Sequence, residues 1–240
     1  MKEEIMVSIC CMTYNQENFI RQAIESFLMQ KTNFKYEIIV HDDASTDNTQ
    51  SIIREYEKKY PNIVKAIYEE KNQYADAAKS LMKVFEKAKG KYIAICEGDD
   101  YWCDEYKVQK QYDVMEENKE CSMCVHNTII HDLSNIEKDK KFNEWNEIRE
   151  LIDYDVFFGW DVHTSSYFIR KEYAIYPEEF WKYWFGDYVF LTTTYFWGKI
   201  LFLPDVMSVY NKNNKQGVSY QNVQDVITKI SKIGSRKDYL

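Results

Sequence analysis

Glycine and proline are scarce, seven and three among 240 residues. That excludes a low-complexity linker and leaves no obvious hinge. It also excludes the glycine loops that cradle phosphates on bare backbone, since neither G-x-G-x-x-G nor G-x-x-x-x-G-K-[ST] occurs. No apolar run is long enough to span a bilayer. The opening MKEEIMVSICCM mixes both charges with a short apolar run, which predicts no secretory leader. Basic residues are the minority, 31 Lys and Arg against 39 Asp and Glu, for a formal net charge of -8. A surface of that sign argues against nucleic acid as a partner. No internal repeat occurs. Cys121 and Cys124 form one C-x-x-C, but no second pair completes a zinc site. The six cysteines therefore read as reduced thiols packed as small hydrophobes. A soluble, cytoplasmic protein is expected, at most peripheral to a membrane.

What is present is a core and a rhythm. Hydrophobic residues make up 45% of the chain, enough to bury a sizeable interior. Residues 5–12, 36–40, 62–68 and 91–96 read as strands, and 17–30, 48–60 and 75–89 as helices between them. Phe19, Ile20, Ala23, Ile24, Phe27 and Leu28 mark one apolar helix face. Asp47 or Ser45 is placed to cap the second helix, and Gly90 stands where a C-cap glycine belongs. Such alternation predicts a parallel sheet with helices on both faces. Cys10 and Cys11, adjacent on the first strand, should point to opposite faces. Beyond Cys103 the pattern loosens. Residues 105–118 look helical and 122–131 look like a strand. A polar excursion follows over 132–150, then an aromatic-rich stretch with a strand over 163–171 and a helix over 187–197. Strands over 199–204 and 206–211 come next, and helical spacing returns over 221–233.

Paired acids close two of the strands: Asp42-Asp43, and Asp99-Asp100 within CEGDDYW. The first strand ends in Thr13-Tyr14-Asn15. In an open parallel sheet all three ends project on the edge where ligands bind. Two carboxylates about 5 Å apart repel by roughly 3 kcal/mol at an effective dielectric of about 20. A buried strand ending in such a knot must face water or take up positive charge. Mg²⁺ or Mn²⁺ binds carboxylate oxygen and completes its shell with phosphate and water. CEGDD therefore reads as a metal-diphosphate site.

Thr13-Tyr14-Asn15, HDDASTDNT at 41–49 and CEGDDYW, in that order and spacing, resemble the nucleotide-binding half of the family 2 inverting glycosyltransferases of GT-A fold. The resemblance covers residues 5 to 131 most specifically and 160 to 219 less so. It implies an α/β fold with a Rossmann-like, mainly parallel central sheet and a mixed acceptor-side half. Residues 1–131 would form the nucleotide-sugar-binding half of a single domain, 132–220 the acceptor half, and 221–240 a C-terminal helix. By the same resemblance Asp43 reads the base, with Thr13, Tyr14, Asn15 and Glu17 around the nucleotide. Asp99 lies near ribose and metal, and Asp100 ligates the Mn²⁺ or Mg²⁺. Glu97 replaces a common Asp and either ligates through water or shapes the loop. Asp187, in WFGDYVF, is the implied catalytic base, although Gly186 stands where many relatives carry a supporting Glu. His163, Thr164, Ser165, Trp184 and Trp102 are implied on the acceptor side. Relatives often carry Arg or His after the late strand; here only Lys212 and Lys215 offer charge.

The implied reaction moves a sugar from a nucleotide-sugar, a UDP-sugar by the family's preference, to a glycan or lipid-linked acceptor in surface-polysaccharide synthesis. Other readings stay open. Asp42-Asp43 with Ala-Ser-Thr-Asp is also turn and helix-cap chemistry. Asp187 is also a helix cap, and clustered aromatics are commonly core. A nucleotide-binding relative that has lost turnover, or a sugar nucleotidyltransferase, fits part of the pattern. The first loop, MTYNQEN, lacks the nucleotidyltransferase G-x-G-T-R signature.

Overall fold

The computed structural model describes residues 4–73, 77–159, 161–175 and 186–214. The first half alternates as its periodicity predicts. It comprises β1 (Ile5–Thr13), α1 (Ile20–Leu28), β2 (Lys35–Asp42), α2 (Thr49–Lys59), β3 (Val64–Tyr68), α3 (Ala77–Lys87) and β4 (Tyr92–Ile95). β1 runs parallel to both β2 and β4, and β2 parallel to β3. Both faces of these strands are apolar because both are covered. Ile9 and Cys11 pack with Ile20, Ala23, Ile24 and Phe27 of α1. Cys10 turns the other way, joining Ile93, Ile95 and the α3 residues Val84 and Phe85.

The second half completes the sheet with β5 (Tyr101–Trp102), α4 (Lys107–Glu117), β6 (Cys121–Asp132), β7 (Lys140–Lys141), β8 (Arg149–Glu150), α5 (Asp153–Phe157), β9 (Phe168–Arg170), α6 (Gly186–Tyr195) and β10 (Lys199–Lys212). The order is β3-β2-β1-β4-β9-β6-β10-β5, with β7 on β6 and β8 on β10. β9 is antiparallel to both β4 and β6 and joins the parallel half to the mixed one. Buried Arg170 on β9 staples this junction. Its guanidinium donates to the carbonyls of Cys121 at 2.7 Å and Met115 at 2.6 Å and to the Tyr92 hydroxyl at 2.9 Å.

Four sequence expectations need revision. Residues 163–171 are not one strand: Thr164–Ser166 form a 3-10 turn and only Phe168–Arg170 pair. Residues 199–211 are one strand rather than two. β10 passes Pro204-Asp205 as a bulge, stepping from Leu203 opposite His126 to Val206 opposite Asn127. Proline offers no N–H to a ladder, and a bulge is where a strand tolerates that. The excursion over 132–150 contains the short strands β7 and β8. Gly90 lies beyond α3, and no glycine among the described residues has positive φ, so it is not a left-handed cap. It is needed for close approach instead, because a Cβ there would lie 2.4 Å from the Ser8 backbone nitrogen. The expected helix over 221–240 lies outside the described residues.

Lys107, in the first turn of α4, is wholly buried. Its ammonium lies 3.8 Å from the Trp102 ring centroid and has no hydrogen-bond partner among the described residues. Desolvation lowers its pKa from 10.5 to about 7. Between those values the unfolded chain binds the extra proton, so stability rises with pH across that window and the penalty is full below about pH 7. Lys107→Met is expected to raise the melting temperature by roughly 5 °C, on the scale of about 2–4 °C per kcal/mol for a chain of this size. The gain should be larger at pH 6 than at pH 9, as thermal melts at the two values will show.

Candidate active site

Three strand ends meet on one edge, and the loops after them are laced together. The β1–α1 loop is tied to the β2–α2 loop by side chains of both. Asn15, at φ 50°, donates its backbone N–H to Ser45 Oγ at 2.9 Å, and its Oδ1 accepts from the Thr46 amide at 2.8 Å. The Gln16 amide donates to Thr49 Oγ1 at 2.8 Å, and the Glu17 amide to Asp47 Oδ2 at 3.1 Å. Glu17 Oε2 in turn accepts from Asn48 at 2.7 Å. Asp47 also accepts from the Thr49 amide at 2.9 Å, but the cap position of α2 is Asn48, whose side chain makes no cap hydrogen bond, so neither Asp47 nor Ser45 is the N-cap. The side chains of Asn15 and Glu17 thus build the loop, while Tyr14 is exposed beside it.

Asp42 and Asp43 divide the work at the end of β2. Asp42 is buried and structural, accepting from the Ser45 amide at 3.0 Å and Gln50 Nε2 at 2.6 Å. Asp43 is half-buried. Its amide donates to the Thr13 carbonyl at 3.0 Å, and its Oδ1 accepts from the Gln73 amide at 2.6 Å. Burial raises its pKa, partly offset by that amide.

The CEGDD turn after β4 is pressed against the end of β1. The Gly98 amide donates to the Met12 carbonyl at 2.9 Å. Thr13 is buried, and its hydroxyl donates to Gln16 Oε1 at 2.7 Å. Gln16 also helps hold down the Asp99 pKa against the rise that burial causes.

The acids converge. Asp100 is buried; its Oδ1 accepts from the Asn211 amide at 2.9 Å, and its Oδ2 lies 3.8 Å from His163 Nδ1. Asp99 Oδ2 accepts from Asn214 Nδ2 at 3.0 Å, and its carbonyl from Asn211 Nδ2 at 2.6 Å. Glu97 Oε2 is buried with no hydrogen-bond partner among the described residues. Burial, then the charges of Asp187 and Asp99, push the Glu97 pKa up to about 8. Burial raises Asp99, and burial with the charges of Asp99 and Glu97 raises Asp100. Asp187, in the first turn of α6, accepts at Oδ2 from Thr164 Oγ1 at 3.4 Å. The charges of all four carboxylates reach Tyr210: burial, then Asp100, Asp99, Glu97 and Asp187, push its phenol up to about 12.

His163 is buried, stacked on Tyr210 at 4.3 Å between ring centroids, and burial holds its pKa down to about 3. A neutral ring fits its contact with the hydroxyl of Ser165 at 2.9 Å. Ser165 is fully buried and bonds Ser208 at 2.9 Å, so it holds the turn together. Trp102 departs from expectation. It is 1% exposed, edge-on to Phe27 and bonded to the Ser165 carbonyl at 2.9 Å, and presents no face to an acceptor. Lys212 pairs with Glu137 at 3.2 Å, away from the acids. Trp184 and Lys215 lie outside the described residues.

Gln16, Asn211, Asn214 and Tyr210 were missed by sequence reasoning. The search after the late strand was for a cation, whereas two neutral amides hold the acids. Among the described residues no three acidic, histidine or cysteine side chains could cage a metal ion alone. The donor set suits Mg²⁺ or Mn²⁺, which binds one or two carboxylates and takes its remaining ligands from phosphate and water. The buried, unpartnered Glu97 oxygen and the raised acids are features that added positive charge would relieve.

Residues 8–176 match the family model for glycosyl transferase family 2. The chain belongs to that family. An uncharacterised protein of Mycobacterium tuberculosis is 33% identical over 211 residues, 86% of this chain and 59% of its own length. A putative teichuronic acid biosynthesis glycosyltransferase of Bacillus subtilis is 35% identical over 112 residues, 47% of this chain and 42% of its own. The chain thus spans a little over half the length of that mycobacterial protein. Among solved structures, TarS of S. aureus in complex with UDP superposes with a TM-score of 0.66 at 19% identity, over 86% of this chain and 60% of that one. A mannosyltransferase of Pyrobaculum calidifontis in complex with GDP-Man and Mn²⁺ gives 0.64 at 14% identity, over 90% and 59%. These likenesses show the GT-A fold of the family: a mixed α/β chain on a mostly parallel central sheet.

Gly98 is the tightest point of the family 2 site. A Cβ there would lie 2.5 Å from Gln16 Oε1 and 2.8 Å from Thr13 Cβ. Gly98→Ala is expected to cost about 1–3 kcal/mol by overpacking. A denaturant titration beside the parent protein measures it.

Proposed function

We propose that this chain is a metal-dependent inverting glycosyltransferase. It moves a sugar from a nucleotide-sugar, with UDP as the expected carrier, to a hydroxyl of a glycan or lipid-linked acceptor in surface-polysaccharide synthesis. The observation that carries this reading is the gathering of Glu97, Asp99, Asp100 and Asp187 around Tyr210, on the sheet edge where Asp43 also lies.

Each residue has a role in that reading. Asp43, oriented by the Gln73 amide, presents a carboxylate to the N3–H of uracil. Tyr14 and the Asn15–Glu17 loop flank the nucleotide. Asp100 and Asp99 would hold the Mn²⁺ or Mg²⁺, which neutralises charge growing on the departing diphosphate. Asp187 is the general base. The acceptor oxygen bonds to the anomeric carbon as the bond from that carbon to the diphosphate oxygen breaks. The hydroxyl proton passes to Asp187, and attack from the face opposite the diphosphate inverts the centre. Thr164 orients the base through its hydroxyl. Glu97 supplies the nearby second carboxylate that Gly186 does not.

That UDP is seen in the TarS complex supports the choice of carrier, and the resemblance to a teichuronic acid enzyme supports the class of acceptor. A cytoplasmic location with peripheral membrane contact fits lipid-linked acceptors. Among the described residues no helix is long and apolar enough to cross a membrane.

Calorimetric titration of UDP with Mn²⁺ and with EDTA tests the site. Binding is expected with metal only, and Asp100→Ala should abolish it. Asp187→Asn should keep UDP affinity and lower turnover by about 10²–10⁴-fold, the usual scale for a general base. A protein that binds none of UDP, GDP and CDP under any metal condition would sink the transferase reading.

A further inference from the structure

The acids that face the donor are held by a turn, and the turn is held by a residue far from them in sequence. Asn211 and Lys212 form the last pairs of β10, and Asn213 and Asn214 turn beyond them. Asn211 and Asn214 grip Asp99 and Asp100 from this side through the three hydrogen bonds described above. Between them Asn213 takes φ 63°, a left-handed conformation that asparagine tolerates. Its side chain points away from the acids, and its Nδ2 donates to Asp132 Oδ1 at 2.7 Å.

Asp132 closes β6 opposite Lys212 and is 3% exposed. Its carboxylate organises the chain on its own side as well. Oδ1 accepts from the Ser134 amide at 3.0 Å, and Oδ2 from the amides of Ile136 at 3.2 Å and Glu137 at 2.9 Å. The Ser134 hydroxyl adds a contact of 2.7 Å. The Leu133 amide donates to the Lys212 carbonyl at 3.1 Å, which locks the two strand ends together. The nearby Lys212–Glu137 ion pair is exposed and contributes little by comparison.

We propose that Asp132 is a positioning residue for the donor site, fixing the Asn211–Asn214 turn that in turn orients Asp99 and Asp100. The idea builds on the transferase reading but does not depend on it, because the clamp acts on the turn whether or not a nucleotide binds. An ionised carboxylate suits this role, because both oxygens accept and one group can serve amides on two segments at once. Asp132 touches neither donor nor metal, so its effect should appear as affinity and order at the turn rather than as lost chemistry.

Three variants of the full chain test this: Asp132→Ala, Asp132→Asn and Asn213→Gly. Asn213→Gly keeps the left-handed backbone accessible and removes only the clamping side chain. Two readouts are needed. The first is amide hydrogen exchange at Asn211 without ligand, where Asp132→Ala and Asn213→Gly should exchange faster than the parent, and Asp132→Asn should lie between. The second is Mn²⁺-dependent UDP affinity, expected to fall about ten- to hundred-fold in Asp132→Ala, the usual effect of losing a residue that supports metal ligands. Unchanged Asn211 exchange in Asp132→Ala and Asn213→Gly overturns the clamp, even if Asp132→Ala melts early. Unchanged UDP affinity in a parent that binds UDP overturns its role at the donor site. A parent that binds no nucleotide counts against the transferase reading, and Asn211 exchange still decides the clamp.

Discussion

Like-charge repulsion is the constraint around which the site is organised. Glu97, Asp99, Asp100 and Asp187 are brought together at the end of the sheet, and burial, full at Asp100 and partial at the others, removes much of the solvent that would screen them. The described structure answers with neutral donors rather than with cations. The Asn211 amide and Asn214 Nδ2 fix the orientation of Asp100 and Asp99 without cancelling their charge. Lys212, next to Asn211 in sequence, is drawn off by Glu137. The remaining field is uncompensated within the described residues, and on the transferase reading proposed above a cation bound to a phosphorylated donor would satisfy it.

Packing sets how near the strand ends can come. Near the strand ends of the parallel half, Gly90 against Ser8 and Gly98 against Thr13 and Gln16 leave no room for a Cβ. In a chain so poor in glycine, both are placed for approach rather than for unusual φ. Further along the sheet, Trp102, Ser165 and His163 form a connected interior. It carries the position of β5 to the turn that bears Thr164, and so to Asp187.

The first half of the fold was legible because each strand and helix is covered on a face that its periodicity marks. Order and spacing of the three acidic or polar strand ends carried the family as well. The second half was less legible for physical reasons. The bulge at Pro204-Asp205 hides a continuous strand behind a residue that normally interrupts one. β9 is three residues long and is held by Arg170 from the side, so it has no period to read. At the site, carboxylates announced themselves by type. Gln16, Asn211 and Asn214 did not, because an amide in a loop looks the same whether it faces water or a carboxylate. Trp102 was misplaced for the complementary reason: an aromatic beside an acidic motif gives no sign of which side it faces.

The lacing of the β1–α1 loop to the β2–α2 loop has a consequence for recognition. Asn15, Gln16, Glu17, Ser45, Asp47 and Thr49 spend their hydrogen bonds on one another before any ligand arrives. The conformational entropy of ordering these segments is therefore lost on folding and not again on binding. A floor assembled in advance cannot remould itself around a guest of another outline. On the transferase reading proposed above, selection among nucleobases there would be a matter of fit to a fixed mould, with affinity for the wrong base lost through contacts never made.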